Sequence, residues 1–313
     1  MRRLNLPGLL IVLSTISWAV PISGAARLAV RTPHSRAKSS IVAPWPVQFR
    51  EEQDRGLLVR AWVNGNGPYT FAIDTGAGIT VIAERLVSLI GLPIRTGSRI
   101  MIGGLTGTGV FSEGETLIDR IALGEPDNLL PARSVAVVAP YLPPDIDGIL
   151  DPTEAYSPFG YSIDFPNHQI AVFDRNSGTL NGREPSGGGA IVPWVRDRES
   201  RRPFVRLGDG RIALIDTGSG FGLAVSEPDL TRARRGGGRV RDLGGGTIEA
   251  RRVAPTIVSI GSLVLRGVPT DLLTGVEKGA PVILGREALR PFRITFDPVS
   301  RLIEIVPPPG NDD

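Results

Sequence analysis

Asp74 and Asp216 are the residues of this chain best placed to do chemistry together. Each opens an Asp-Thr-Gly tripeptide, Asp74-Thr75-Gly76 and Asp216-Thr217-Gly218, and each tripeptide closes a run of strand-forming residues. The first acid follows Tyr69-Thr70-Phe71-Ala72-Ile73, and the second follows Ile212-Ala213-Leu214-Ile215. An apolar strand bound for a sheet core loses stability by ending on an acid in a Gly-rich turn unless the acid has a task. Two carboxyl groups held close together do not both ionise; they share one proton, so an acid and a base coexist at one pH. The ionised member can take a proton from a water between them while the protonated member donates to a carbonyl oxygen, with no covalent intermediate. Gly76 and Gly218 permit tight turns in which backbone N–H groups approach each carboxylate.

The elements that must hold these acids are strands. From residue 47 onward, short runs rich in Val, Ile, Leu and Phe alternate with Gly, Pro, Asp and Asn clusters, as in residues 57–63, Gly65-Asn66-Gly67-Pro68 and residues 69–73. This is hairpin grammar. The one good helical pattern covers residues 83–90 and is stopped by Gly91 and Pro93. An internal repeat organises the rest: strand, turn, strand, Asp-Thr-Gly, a Gly-rich hairpin, an apolar pair and a Phe-centred strand, all occurring twice. In the first half the later parts are Met101-Ile102-Gly103-Gly104-Leu105-Thr106-Gly107, Gly148-Ile149-Leu150-Asp151 and Ile163-Asp164-Phe165. In the second they are Leu243-Gly244-Gly245-Gly246-Thr247, Val282-Ile283-Leu284-Gly285 and Ile294-Thr295-Phe296-Asp297.

This arrangement resembles the two-lobed aspartic proteases of the pepsin and retropepsin superfamily over residues 47–306. The paired Asp-Thr-Gly-(Ala/Ser) turns carry most of the resemblance, supported by Asp147-Gly148-Ile149-Leu150 and Val282-Ile283-Leu284-Gly285. It implies an all-β fold of two closed barrels with few short helices, and an endopeptidase acting on peptides or proteins without metal or organic cofactor. Asp74 and Asp216 would be the catalytic dyad, supported by Thr75, Gly76, Ala77, Thr217, Gly218 and Ser219. The two threonines would bond across to the opposite turn, and the Ser219 hydroxyl would donate to Asp216 and favour its ionised form. Ile149, Leu150, Ile283, Leu284 and Gly285 would form the strands behind the dyad. Gly103, Gly104, Leu105, Thr106 and Gly107 would form the flap, although that hairpin lacks the Tyr such flaps usually carry. Asp151 stands where the pattern has Gly; pointing inward, it would raise the proton affinity of the dyad. That departure makes a non-catalytic peptide-binding descendant the rival reading, with a structural domain of the cell envelope as a third.

Length and composition bound the remaining choices. At 313 residues, 41% hydrophobic and 21% charged, the chain suits two packed lobes and is neither disordered nor fibrous. Residues 1–25 read as a cleaved export leader: Arg2 and Arg3, an apolar stretch over residues 9–20, then Ser23-Gly24-Ala25-Ala26. Export to the periplasm or beyond follows, with no stable membrane span after cleavage, because the apolar stretch is shorter than the roughly 20 residues a spanning helix needs. Losing Arg2 and Arg3 takes the formal charge from +3 to +1, which gives no support to nucleic-acid binding. The absence of cysteine removes disulfides and thiol chemistry. Only His34 and His168 exist, too few and too isolated for a metal cluster or a Ser-His-Asp triad. The expected layout is a lead-in at 26–46, lobes at 47–174 and 190–306, a Gly- and Ser-rich joint at 175–189 and a tail at 307–313. With both acids in one chain, the active unit is expected to be a monomer. Residues 232–252 hold seven arginines with Asp242 and Glu249 among them and read as a solvated loop face.

Overall fold

A computed structural model of the chain describes residues 42–97, 100–174, 180, 185, 188–195, 200–226 and 238–307. Among the described residues the alternation seen in the sequence becomes strands nearly throughout, accompanied by three short helices. The first strand is Val47–Gln48, where regular structure was expected to start. The leader and most of the 175–189 joint lie outside the described residues.

The sequence repeat is also a repeat of strand pairing. In the first half, the strand Asn66–Ile73 carries Asp74 at its end and lies between Gly56–Val63 and Gly148–Leu150. The Gly148–Leu150 pairing is parallel, with Leu150 opposite Ile73, and Val81–Ala83 follows antiparallel on its other side. In the second half Ile212–Asp216 lies between Phe204–Arg206 and Val282–Gly285. Gly285 stands parallel and opposite Asp216, and Leu223–Ser226 follows antiparallel. Strands buried on both faces read as near-continuous apolar runs. Here Ala72, Ile73, Ile149, Leu150, Leu214, Ile215, Ile283 and Leu284 are all buried, so each acid is delivered from the centre of a sheet.

No closed barrel is found among the described residues, but both sheets turn back on themselves. In the eight-stranded first-half sheet Ile121–Leu123, just beyond Gly114–Ile118, pairs with Gly56–Val63, and in the seven-stranded second-half sheet Leu207, just beyond Phe204–Arg206, bridges Ile260. Their edges are engaged or protected otherwise. The edge strand Arg50–Glu52 pairs with Gly56–Val63 and gives its Glu51 side chain to Arg286 and Arg290. Gly238–Arg241 presents two arginines on the opposite sheet's edge, a common way to blunt an open ladder.

A third sheet joins the halves. It has six strands, three from each half, in the order Val47–Gln48, Gln169–Phe173, Gly160–Asp164, Arg293–Asp297, Leu302–Val306 and Ala190–Pro193. Its central pairing places Tyr161 opposite Phe296, with the rings stacked 4.7 Å apart and Trp194 edge-on to Phe296 at 6.1 Å. The anticipated helix is found as Glu84–Ile90, and Gly91 ends it in the left-handed region at φ 70°, a conformation that favours glycine. Two four-residue helices, Pro152–Ala155 and Arg286–Leu289, follow the strands behind the acids at corresponding points of the repeat.

Phe296 is fully buried at the seam of the two halves. Phe296→Ala should therefore lower the unfolding free energy by about 3–5 kcal/mol, measurable as a lower midpoint in urea.

Candidate active site

The two acid-bearing turns meet through their threonines. Thr75 donates its backbone N–H to the Thr217 hydroxyl at 3.1 Å, and Thr217 donates its N–H to the Thr75 hydroxyl at 3.0 Å. Each hydroxyl in turn donates across to the strand that delivers the other acid: Thr75 Oγ1 to Ile215 O at 2.7 Å and Thr217 Oγ1 to Ile73 O at 3.2 Å. All four bonds are buried and link residues about 140 positions apart in sequence. Mutual donation and acceptance leaves neither threonine with an orphaned polar group, which is what makes such a buried network rigid.

The exchange brings Asp74 and Asp216 together, both fully buried. Gly76 lies so close to the opposite acid that a Cβ there would stand 2.8 Å from Asp216 Cγ, so this turn admits only glycine. Within its own turn Asp74 Oδ1 accepts one N–H, from Gly76 at 2.8 Å. Asp216 Oδ1 accepts two, from Gly218 at 2.9 Å and Ser219 at 3.0 Å. The Oδ2 atoms of both acids are buried and have no hydrogen-bond donor among the described residues. Two ionised carboxylates cannot bond to each other; one shared proton between them can satisfy such oxygens.

The surroundings divide the pair. Burial pushes Asp74 well above the ordinary carboxylate range, and the neighbouring Asp216 charge pushes it further, against the single Gly76 N–H. Burial also raises Asp216, but its bond with Asp74, the Ser219 and Gly218 N–H groups and the Arg286 charge pull back, leaving it at about 6. The two N–H donors and the Arg286 charge thus favour the ionised form at Asp216 more than anything beside Asp74 does. Ser219 contributes to this as expected in direction, but by another atom. Its backbone N–H reaches Asp216, while its hydroxyl oxygen accepts from Phe221 N at 3.4 Å.

The remaining expected residues fall around this centre. Ile149, Leu150, Ile283 and Leu284 lie on the strands directly beside the acid-bearing ones, and Leu150 O accepts the Asp74 N–H at 3.1 Å. Ala77 is buried beside Leu58, Ala72 and Ile149. Gly285 is tightly hemmed: a Cβ there would stand 2.5 Å from Phe221 O and 3.0 Å from the Ser219 hydroxyl. The first half solves the same crowding differently. It has Ala77 in place of Ser219, and the backbone at Asp151 turns away, with ψ at 106° against −173° at Gly285. Asp151 is thereby accommodated, buried, with Oδ1 capping the helix Pro152–Ala155 through Thr153 N at 2.9 Å and Oδ2 without a hydrogen-bond partner among the described residues. Burial raises Asp151 to about 7, with Arg201 opposing and Glu154 reinforcing, and its charge adds to the upward push on Asp74.

The hairpin at residues 101–111 is present as Met101–Gly103 and Gly109–Phe111, with Leu105 at its tip buried rather than waving in solvent. No cluster of three or more potential metal ligands occurs among the described residues. Two surface cavities of about 500 and 540 Å³ are lined by Trp45–Arg50 with Leu58–Arg60, and by Thr153, Phe159, Trp194 and Arg201; neither includes an acid of the pair.

Two residues essential to the site carried no signal in the sequence. Arg286 is buried and donates from Nη1 to Thr217 O at 2.9 Å and Gly218 O at 3.1 Å, and from Nη2 to Gln53 O at 2.7 Å and Glu52 O at 3.3 Å. Its Nε pairs with Glu51 at 3.2 Å, and Glu51 also holds Arg290 at 2.9 Å. The second acid-bearing turn is thus bolted to residues 51–53 of the first half. Only the fold brings these positions together, so Arg286 looks in sequence like an ordinary helix-start cation. Asp242 is the other case: expected on a solvated arginine-rich face, it is buried. Residues 227–237 of that face lie outside the described residues.

A protein-family model described as aspartyl protease matches residues 59–150. The chain therefore carries the aspartic protease family's pattern from the strand before Asp74 to the end of the strand behind it, which supports a peptidase. No curated protein matches the chain.

A carboxyl group whose proton affinity rises on folding stabilises the folded state at low pH, and that contribution fades as the pH climbs through the folded value. For Asp151 the window runs from the ordinary 3.8 to about 7. Urea unfolding should show stability declining across it by up to about 4 kcal/mol. Asp151→Asn, which keeps a cap oxygen for Thr153 N, should remove that part of the decline.

Proposed function

We propose that the protein is an aspartic-type endopeptidase in which Asp74 and Asp216 activate water against a peptide bond, with residues 47–174 and 190–306 as its two lobes. The observation that carries this reading is the reciprocal threonine exchange, which holds two buried carboxyl groups face to face with their outer oxygens unpartnered. A binding protein has no use for that burial, which raises both acids toward neutrality.

In this reading Asp216, ionised and supported by two N–H groups and Arg286, takes a proton from the attacking water. Asp74 gives its proton to the carbonyl oxygen; the resulting diol collapses as Asp216 passes its proton to the leaving nitrogen and Asp74 takes one back from a diol hydroxyl, which restores the pair. Because one chain supplies both acids, a monomer is the active unit, and specific activity should not rise with enzyme concentration. Among the described residues no helix is long and apolar enough to cross a membrane. We place the mature protein outside the cytoplasm on the strength of the leader-like residues 1–25.

The rival, a peptide-binding descendant without turnover, is favoured by one feature: Asp151 introduces a third buried carboxyl group beside Asp74. Cleavage of a denatured protein or a peptide library by the mature chain separates the two readings. Asp74→Asn and Asp216→Asn should each reduce kcat at least about a thousandfold, since acid and base each supply a separate proton transfer, while circular dichroism stays unchanged. Near-wild-type cleavage by either variant overturns the assignment. The sign of the pH dependence follows from the pair: activity should fall as Asp216 takes a proton below about pH 6 and persist to neutrality, because Asp74 holds its proton well above the usual range. A kcat/KM profile centred near pH 3–4, where ordinary carboxyl groups titrate, would contradict it.

A further inference from the structure

The Gly-rich hairpins of the two halves do not behave as two independent loops. The first has its tip at residues 104–108, between Met101–Gly103 and Gly109–Phe111. The second has its tip at residues 242–246, between Gly238–Arg241 and Thr247–Ile260. Each tip offers a leucine, and the leucines are exchanged. Leu105 of the first half packs into a cluster otherwise built wholly from the second, including Leu214, Phe221, Ile248 and Ile283. Leu243 of the second half packs into a cluster otherwise built wholly from the first, including Leu58, Ala72, Ala77 and Ile149. Leu214 precedes Asp216 on its strand, Phe221 follows its turn, and Ala77 follows Gly76, so both leucines seat against the residues flanking the paired acids.

One side chain ties the tips together. Asp242 Oδ2 accepts from the Thr106 hydroxyl at 2.6 Å and from Thr106 N at 3.0 Å. Its Oδ1 accepts from Gly246 N at 2.7 Å and fixes its own loop. Backbone fills the remaining space: Gly104 lies directly against the Asp242 side chain, Gly244 against Thr108 O, and Gly246 against the Thr106 side chain, and a Cβ at any of the three would collide. The glycines of both tips, which in the sequence marked only two Gly-rich hairpins, are here what lets the hairpins touch. Glu277 N adds a bond to Leu105 O at 2.8 Å.

We infer that Asp242 is a positioning residue for the proposed peptide hydrolysis, its carboxyl group joining the two hairpins into one lid over Asp74 and Asp216. The inference rests on the protease reading for its effect on turnover, though not for the latch itself. The substrate class follows: a lid closed from both sides admits a peptide only as a single extended strand once the tips part, so unfolded segments are cleaved and folded domains are not. Asp242 sets how firmly the lid returns over a bound strand, which places the scissile bond against the acids.

The test is a double-mutant cycle of Asp242→Asn and Thr106→Val, with two readouts. By hydrogen exchange, Asp242→Asn should accelerate exchange in both hairpins, residues 101–111 as well as 238–247, by about tenfold or more, the scale of one lost charge-assisted bond. Thr106→Val should do the same, and the double variant should add little. In turnover of an unfolded peptide, each single variant should lower kcat by about tenfold while the association rate of the peptide rises, since the lid parts more readily. Exchange changes confined to 238–247 in Asp242→Asn, or fully additive effects in the cycle, would reduce Asp242 to a cap of its own loop and overturn the inference. So would an unchanged kcat in both variants when the wild-type chain cleaves peptides, or wild-type cleavage of folded and unfolded substrates at equal rates. Coupled exchange of the two hairpins in a chain that cleaves nothing would instead leave the latch standing and remove the protease reading.

Discussion

Everything in the site depends on the exchange between Thr75 and Thr217. Burying two carboxyl groups against one another is unfavourable twice over, through lost hydration and through mutual repulsion, and the acids have no reason of their own to approach. The threonines supply it. Each gives its N–H to the other's hydroxyl and its hydroxyl to the strand that carries the other acid, so separating the turns would break four hydrogen bonds in an apolar interior. Arg286 reinforces this from beneath by tying the carbonyls of Thr217 and Gly218 to residues 52–53. The geometry of the acids is imposed by hydrogen bonds to which the acids themselves contribute nothing.

The near symmetry of the halves makes their differences informative. The path of strand pairing is the same around each acid, but Asp216 gathers two N–H donors and a buried cation where Asp74 has one donor and a third carboxyl nearby. A symmetric pair would leave the site of the proton undecided. The exchanges of Asp151 for Gly285 and of Pro152 for Arg286, with a Ser219 N–H that reaches the Asp216 carboxylate, bias it without altering the strands that carry it.

The sequence made the strand-rich fold, the internal repeat, the helix at 84–90 and the meeting of the two acids legible, because each is written in local patterns: apolar runs, turn glycines and a duplicated tripeptide. Closed barrels were expected from resemblance; among the described residues no ladder closes fully, although Ile121–Leu123 pairs back onto Gly56–Val63 and Leu207 bridges Ile260. Arg286 and Asp242 were illegible for a common reason. Their partners lie more than 130 residues away in sequence, and nothing local distinguishes a cation or an acid that will be buried from one that will meet water. Ser219 was legible in direction but not in atom, since residue type suggests a hydroxyl while the turn delivers an N–H.

The six-stranded sheet shared by the halves has a consequence for the order of assembly. Its central contact pairs Gly160–Asp164 with Arg293–Asp297, and the next strand, Leu302–Val306, must arrive before Ala190–Pro193 has a neighbour. A chain emerging from its N-terminus would complete the first-half sheet early, yet hold Gly160–Asp164 with one flank unpaired until residue 297 is available. Such long-range pairing is slow to form. During that interval the unpaired edge is open to another chain, so folding of the first half ends only with the arrival of the second.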